Sequence, residues 1–199
     1  MGRIIAVVSL TLDGVMQAPG RADEDTRGGF TRGGWAQPYA DPEQGRVVGA
    51  HMAAFGGGLL FGRRTYEDFY SVWPQRTDNP FTEVLDRTEK FVASHTLAEP
   101  LPWQNSTLLS GDAVSAVGKL QLERPELDLV LLGSGDLLRS LMPAGMIDEY
   151  LLQIHPLTLG TGQRLFDGVD LGALRLTESV TTTTGVVIAT YRPMGEELR

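Results

Sequence analysis

Short runs of consecutive apolar residues alternate in this chain with segments whose apolar residues recur at helical spacing. The first pattern is typical of strands that are buried on both faces of a sheet, and the second is typical of amphipathic helices. Together they predict strands at residues 4–9, 59–61, 90–94, 106–109, 127–132 and 148–154. They predict helices at residues 42–55, 65–73, 80–87 and 113–123, and one more that follows Leu132 and ends near Leu141.

The order of these elements indicates the fold class. Strands that alternate with helices favour a three-layer α/β/α arrangement, in which a mostly parallel sheet is covered on both faces. The end of the chain differs, because Leu174–Thr184 and Val186–Arg192 are rich in threonine and valine and flank Gly185. This pattern predicts an antiparallel hairpin at the sheet edge. No repeat or clear linker interrupts the sequence, so we expect one domain over residues 1–199.

A glycine-rich segment, residues 13–39, is too long to be a simple connection. Loops of this length in compact domains are usually functional or disordered. The segment ends at a helix start, in which Asp41 is the predicted cap, Pro42 the first helical residue and Gln44 the reciprocal capping partner. The glycines at positions 56–58 are predicted to end this helix.

Composition and charge restrict the classes of function. The 199 residues carry 17 basic and 25 acidic side chains, a net charge of −8, which argues against nucleic acid or an anionic membrane as the main partner. No apolar run reaches the length of a membrane span. The absence of cysteine excludes disulfides, thiolate nucleophiles and cysteine-ligated metals, and fits a cytoplasmic protein. The three histidines share no metal-ligand spacing, so no metal site is predicted.

Two strand-to-helix turns carry residues that favour phosphate binding. In Gly133-Ser134-Gly135, small residues let a ligand approach the free N–H groups of a helix start. In Gly62-Arg63-Arg64-Thr65, a guanidinium can bind a terminal phosphate bidentately, and the hydroxyl can cap the helix or contact a pyrophosphate. Each turn, taken alone, also fits an ordinary connection, with solvated arginines in the second.

Candidates for proton transfer are fewer. Asp13 follows the first strand in an Asp-Gly pair that fits a turn or an active-site element. Asp41 and Glu43 are candidate proton donors, although a helix start also explains both as capping and dipole residues. Trp35 and Tyr39 fit either an aromatic wall for a planar substrate or a clamp that holds the long loop.

Several short motifs, taken in order, resemble those of the dihydrofolate reductase-like superfamily, and within it the C-terminal reductase domain of the riboflavin-biosynthesis protein RibD. They are Ser9–Gly14, Phe61–Glu67, Val92–Ser94, Gly133–Leu138 and His155–Gly162. Each motif is weak by itself, but their order and spacing match the family over nearly the whole chain. The resemblance implies a dihydrofolate reductase-like α/β fold that binds NADPH.

The resemblance also implies roles for the matched positions. Arg63 and Ser94, assisted by Arg64, would hold the 2′-phosphate of NADPH. The pyrophosphate would lie against Gly62, Thr65 and the turn that consists of Gly133, Ser134, Gly135, Asp136 and Leu137. The segment after the first strand would cover the nicotinamide, with Thr11, Gly14 and Met16. Relatives often have an unusual Gly–Gly peptide where this chain has Gly133-Ser134; a cis bond would be costly there, and both isomers stay open.

The sequence thus predicts a reductase that transfers hydride from NADPH to a C=N or C=O bond of a small heterocyclic substrate. Asp13, Asp41 and Glu43 are the candidate catalytic residues. The family implies a pyrimidine of riboflavin biosynthesis or a pterin. Neither substrate carries over directly, because Gly28–Tyr39 rebuilds the region where dihydrofolate reductases hold the pterin.

Three further expectations accompany this prediction. A module of the same fold that binds NADPH or another ligand without turnover is the alternative, since no proton donor is assured. A phosphotransferase is disfavoured, because neither a phosphate-reaching lysine nor a metal-binding carboxylate pair stands near the two turns. The C-terminal hairpin leaves a strand edge that can pair in a homodimer.

Overall fold

Eight strands and five helices account for most of the residues that the structure describes. The computed structural model describes residues 1–55, 57–169 and 172–194. The strands are β1 (Ile4–Thr11), β2 (Gly58–Gly62), β3 (Lys90–Ser94), β4 (Ser106–Ser110), β5 (Leu129–Leu132), β6 (Glu149–His155), β7 (Leu174–Thr181) and β8 (Val187–Pro193). The helices are α1 (Pro42–Phe55), α2 (Arg63–Val72), α3 (Pro80–Arg87), α4 (Ala113–Glu123) and α5 (Gly135–Leu141).

The strands form one sheet in the order β4-β3-β2-β5-β1-β6-β8-β7. The six strands from β4 to β6 in this order are parallel, and β8 and β7 are added in antiparallel register. The predicted mostly parallel sheet with a C-terminal antiparallel hairpin is therefore confirmed. Because β5 is inserted between β2 and β1, the carboxyl ends of these strands lie side by side at one edge of the sheet.

Alternating side chains of the strands build a core on each face of the sheet. In β1, Ile4 and Ala6 pack in the cluster that contains residues of α4 and α5. Ile5 and Val7 point to the other face, where the cluster contains Tyr66 of α2 and Leu85 of α3. The two clusters confirm the three-layer arrangement, and the apolar residues at consecutive positions of β1 follow from burial on both faces.

The start of α1 has the predicted reciprocal cap. The Glu43 N–H donates to Asp41 Oδ1 at 2.8 Å, and the Asp41 N–H donates to Gln44 Oε1 at 3.0 Å. Gly56, one of the glycines predicted to end this helix, lies outside the described residues. So do positions 170, 171 and 195–199 of the predicted single domain, which stays a prediction.

The long segment between β1 and α1 is packed rather than loose. Four buried residues, Val15, Ala18, Phe30 and Trp35, form a small core of its own. The Arg21 guanidinium pairs with the Asp68 carboxylate and so fastens the segment to α2. This packing agrees with the prediction that the segment is more than a simple connection.

Candidate functional site

An open pocket of about 300 Å³ lies at the carboxyl ends of β2, β3 and β5. In open sheets of parallel strands, ligands bind at this end of the sheet. Most residues predicted to hold the cofactor line the pocket, namely Gly62, Arg63, Arg64, Thr65, Ser94, Ser134, Gly135, Asp136 and Leu137. Three segments far apart in sequence thus converge on one site.

The start of α2 forms one wall of the pocket. Gly62 is its extended N-cap residue, and the N–H groups of the first turn have no acceptor within the helix. The Arg63 guanidinium donates to Glu67 Oε2 at 2.9 Å in an ion pair one turn apart. Arg64 instead reaches across the pocket, where its Nη1 donates to Asp136 Oδ2 at 3.0 Å. Positive charge and free N–H groups therefore face the same space.

The turn between β5 and α5 forms the opposite wall. Gly133 and Ser134 both have left-handed backbone conformations, with φ of 58° and 54°, and the peptide bond between them is trans. Left-handed φ is uncommon for serine, and here its side chain holds the turn. Ser134 Oγ accepts from the Gly62 N–H at 3.0 Å and donates to Leu132 O at 3.2 Å. One hydroxyl thus joins both predicted phosphate-binding turns.

Gly135 stands against the end of the Met16 side chain, a contact that the sequence did not show. A Cβ added there would lie 2.6 Å from the Met16 sulfur, closer than real Cβ contacts allow. Met16 therefore packs directly on the pocket wall, next to a lining residue. Gly133, also predicted to contact the cofactor, does not line the pocket; a Cβ added there would be 3.7 Å from Thr65 Cγ2.

Ser94 at the end of β3 forms the third side of the pocket. Its Oγ accepts from the N–H groups of Thr96 and Leu97, both at 3.1 Å, and so organises the turn that follows the strand. Ser94 Oγ also lies 3.5 Å from Thr96 Oγ1, a contact in which either hydroxyl can donate, so the Ser94 hydroxyl can instead donate to a ligand. This geometry fits both interpretations of Ser94, as the start of a loop and as a phosphate contact.

Seven lining residues were not among the predicted cofactor contacts: Arg27, Ala93, His95, Thr96, Gly111, Ala113 and Ser140. Arg27 comes from the long segment, and its Nη1 donates to Asp136 Oδ2 at 3.0 Å. The adjacency of His95 and Thr96 to Ser94 was a usable signal. Nothing in the sequence pattern indicated Arg27, because the path of an irregular segment leaves no periodicity.

Asp136 remains ionised among these arginines. Burial raises its pKa, but hydrogen bonds and charges of Arg27 and Arg139 outweigh this effect and hold the pKa below its ordinary value. The lining contains Arg27, Arg63 and Arg64 against this carboxylate, in a protein whose net charge is −8. The pocket is thus a local basic site with hydroxyl and N–H donors, which is the chemistry of phosphate recognition.

Thr11, Asp13 and Gly14 build the turn after β1 and do not line the pocket. The Thr11 hydroxyl donates to Asp13 Oδ1 at 2.6 Å, and the Leu159 and Gly160 N–H groups donate to the same carboxylate at 3.1 and 2.8 Å. Gly14 has a φ of 78°, which an Asp-Gly turn accommodates.

The other two predicted catalytic residues, Asp41 and Glu43, also have structural partners. Asp41 accepts from the hydroxyl and N–H of Thr183, which lower its pKa together with the helix cap. The guanidinium of Arg46 lowers the pKa of Glu43. Neither residue lines the pocket. The catalytic roles of Asp13, Asp41 and Glu43 stay predictions.

A buried histidine lies where β1 and β6 end together. His155 Nδ1 is 3.2 Å from Leu10 O and 3.0 Å from Gln153 O, so this nitrogen carries the proton. Burial lowers the pKa of His155 and favours the neutral ring. Trp35 and Tyr39 contact the ring edge-on, with centroids at 5.2 and 5.8 Å. These aromatic residues therefore clamp the long segment onto the sheet.

Across the described ranges, no helix combines the length and apolar character needed to cross a membrane. Within the same ranges, no group of three or more His, Cys, Asp or Glu side chains is arranged to hold a metal ion.

The sheet with its helices and C-terminal hairpin is a dihydrofolate reductase-like α/β fold. The model of the RibD C-terminal domain family matches residues 3–188, and the chain belongs to this family. The family resemblance drawn from the short motifs is thereby confirmed.

Individual relatives agree with this assignment. The uncharacterised protein YyaP of Bacillus subtilis (strain 168) is 27% identical over 197 residues, which cover 95% of this chain and 94% of that protein. A protein of Shewanella sp. PV-4 assigned to riboflavin biosynthesis has a TM-score of 0.72 at 23% identity, over 96% of this chain and 99% of that one. Dihydrofolate reductase of Enterococcus faecalis, solved with NADP(H) and RAB-propyl, has a TM-score of 0.59 at 13% identity, over 96% of each chain. At these identities the solved structures show a shared fold.

Proposed function

We propose that this protein is an NADPH-dependent reductase that transfers hydride to a C=N or C=O bond of a small heterocyclic substrate. The observation that carries the proposal is the pocket at the ends of β2, β3 and β5, where arginines, hydroxyl groups and small residues converge. Membership of the RibD C-terminal domain family supports the same class of reaction. The complex of the structurally similar Enterococcus faecalis enzyme with NADP(H) supports the choice of cofactor.

The residues present fit the phosphates of NADPH. We assign Arg63 and Ser94 to the 2′-phosphate, since they lie on adjacent walls of one pocket. The Arg63–Glu67 ion pair is exposed, so it contributes little to stability, and Arg63 can exchange Glu67 for a phosphate. Thr65 and the turn at Ser134 and Gly135 are assigned to the pyrophosphate.

Bound NADPH would supply the hydride from its nicotinamide. The chain's own part is to hold the phosphates, to orient the cofactor and to limit access of water. We assign the last two roles to the segment after β1, because Met16 packs against Gly135 of the pocket wall. The family makes a pyrimidine of riboflavin biosynthesis the first substrate to test, followed by a pterin.

Substitution of Arg63 by alanine tests the cofactor assignment. A hydrogen bond to a charged group contributes about 1.5–3 kcal/mol, so Arg63→Ala should weaken NADPH binding about tenfold or more and leave NADH binding nearly unchanged. Titration calorimetry with both cofactors measures the ratio of the dissociation constants of NADH and NADPH. Arg124→Ala is the matched control, because Arg124 forms a similarly exposed pair with Glu89 outside the pocket. An unchanged ratio in Arg63→Ala would show that Arg63 does not select the cofactor.

A second candidate is a binding module of the same fold without turnover. The observation that favours it is the state of the three candidate acids, whose pKa values are all lowered by structural partners. Oxidation of NADPH is followed by absorbance with flavin precursors, pterins and aldehydes. Steady consumption with any of them excludes the silent module, whereas binding without oxidation across the panel favours it.

A further inference from the structure

The long segment brings a third arginine to the pocket. Arg27 begins the short 3₁₀ turn Arg27–Gly29 and lines the pocket together with Arg63 and Arg64. Its Nη1 and the Nη1 of Arg64 both donate to Asp136 Oδ2, each at 3.0 Å. Two guanidinium groups from separate parts of the chain therefore share one carboxylate oxygen at the pocket.

Asp136 is well suited to be exchanged for a ligand. It is the one acidic residue among the described residues that line the pocket, and its side chain is 58% exposed. Its Oδ2 accepts from Arg27 and Arg64, whereas its Oδ1 accepts from Arg139 Nη2 at 2.6 Å, so the carboxylate keeps one arginine when a ligand takes the other two. A phosphate carries more acceptor oxygens than a carboxylate and can bind each guanidinium bidentately, which gives stronger hydrogen bonds.

Arg27 keeps its position without Asp136. Its Nε and Nη2 donate to the Asp25 carboxylate at 2.8 and 2.5 Å. Gln17 Nε2 donates to the Arg27 carbonyl oxygen at 3.0 Å, and Gln17 is itself buried. The guanidinium is therefore preorganised, and release of Asp136 would leave its Nη1 directed at the pocket.

We propose that Arg27 is a third anion-binding residue of this pocket, and that Asp136 occupies the position of a ligand phosphate until one binds. The inference rests on the proposed function, because it takes the pyrophosphate of a dinucleotide as the ligand. When the phosphate binds, Arg64 and Arg27 both exchange Asp136 for the phosphate. Through Arg27, binding of the phosphate is coupled to the long segment, which carries Trp35 and Tyr39 to the sheet.

The test compares inorganic pyrophosphate and NADPH as ligands in titration calorimetry. Arg27→Ala should weaken the binding of both ligands about tenfold or more. Arg27→Lys keeps the charge but loses the planar, bidentate donor geometry of the guanidinium, so its affinity should lie between those of Arg27→Ala and the unsubstituted protein. Asp136→Asn should tighten both several-fold, because it removes the competing charge. This gain should shrink in the Arg27→Ala background, since the two residues act on one contact. Arg32→Ala, an exposed arginine of the same segment, should bind as the unsubstituted protein does.

Two results would overturn the inference. One is weaker binding of both ligands to Asp136→Asn, which would make the carboxylate a ligand contact rather than a competitor. The other is an Arg27→Ala variant that binds both ligands as Arg32→Ala does. If pyrophosphate responds as expected but NADPH does not bind, the inference stands and the proposed function fails. If NADPH binds equally to all variants, only the inference fails.

Discussion

At the scale of single residues, Asp13 shows how hydrogen bonds set the protonation of a candidate acid. The Thr11 hydroxyl is the main partner, and with the N–H groups of Gly160 and Leu159 it outweighs burial and lowers the pKa of Asp13 to about 2. Asp13 is therefore a carboxylate at neutral pH and fits the turn after β1 better than proton donation.

Acid unfolding tests this account of Asp13. A carboxyl whose pKa is lower in the folded than in the unfolded chain stabilises the fold above its unfolded pKa of about 4, and this contribution is lost between about pH 4 and pH 2. Asp13→Asn should thus be less stable at pH 7, with a difference that shrinks over this range. Urea unfolding at several pH values measures it. Asp167→Asn is the control, because Asp167 is 69% exposed and lies 4.0 Å from Arg164; identical profiles would contradict the account.

The sequence revealed the pocket residues that belong to continuous motifs. Arg63 to Thr65 and Ser134 to Leu137 stand at strand-to-helix turns, where glycine and charge are visible in the sequence. Arg27 and its contact with Asp136 were not predictable, because they depend on the path of an irregular segment. The Met16 contact with Gly135 depends on the same path.

At the scale of elements, α2 both carries Arg63 and Arg64, which we propose bind phosphate, and anchors them. Tyr66 is 1% exposed, and its hydroxyl oxygen accepts from the backbone N–H of the buried Trp103 at 3.0 Å. Tyr70, one turn further on, stacks on Tyr66 at 6.4 Å and is partly exposed. The buried face of α2 therefore fixes the direction in which its first turn points.

Removal of the Tyr66 hydroxyl tests this anchor. Tyr66→Phe leaves the buried backbone N–H of Trp103 without its acceptor, which should lower the free energy of unfolding by about 1–3 kcal/mol. Tyr70→Phe removes the same atom at a partly exposed position and should change stability little. Denaturant unfolding compares the two variants. Equal losses would show that the Tyr66 hydroxyl does not hold α2 against Trp103.

The apolar pattern predicted the elements well but not all of their ends. The predicted first strand stops at polar Ser9, whereas β1 continues to Thr11 because it pairs with His155 of β6. Pairing between strands supplies hydrogen bonds that no local pattern encodes. The reciprocal cap at Asp41 is a local signal, and it placed the start of α1 correctly.

At the scale of the whole molecule, strand order creates the site. Insertion of β5 beside β2 brings Gly62 and Ser134 within hydrogen-bond distance, at 3.0 Å. The order of helices and strands in the sequence predicts a covered parallel sheet but leaves the neighbours of each strand open. The family resemblance, rather than periodicity, linked the two turns to one cofactor.

Binding of NADPH tests the central claim most directly. The melting temperature of the protein is measured in the presence of NADPH, NADH, ATP or flavin mononucleotide at equal concentrations, and the four values are compared. A ligand at about 100 times its Kd stabilises the native state by about 2.7 kcal/mol, which raises Tm by about 5 °C or more in a chain of this size. We expect NADPH to give the largest shift. A larger shift with ATP or flavin mononucleotide, or no shift with NADPH, would contradict the proposal that NADPH is the cofactor of this protein.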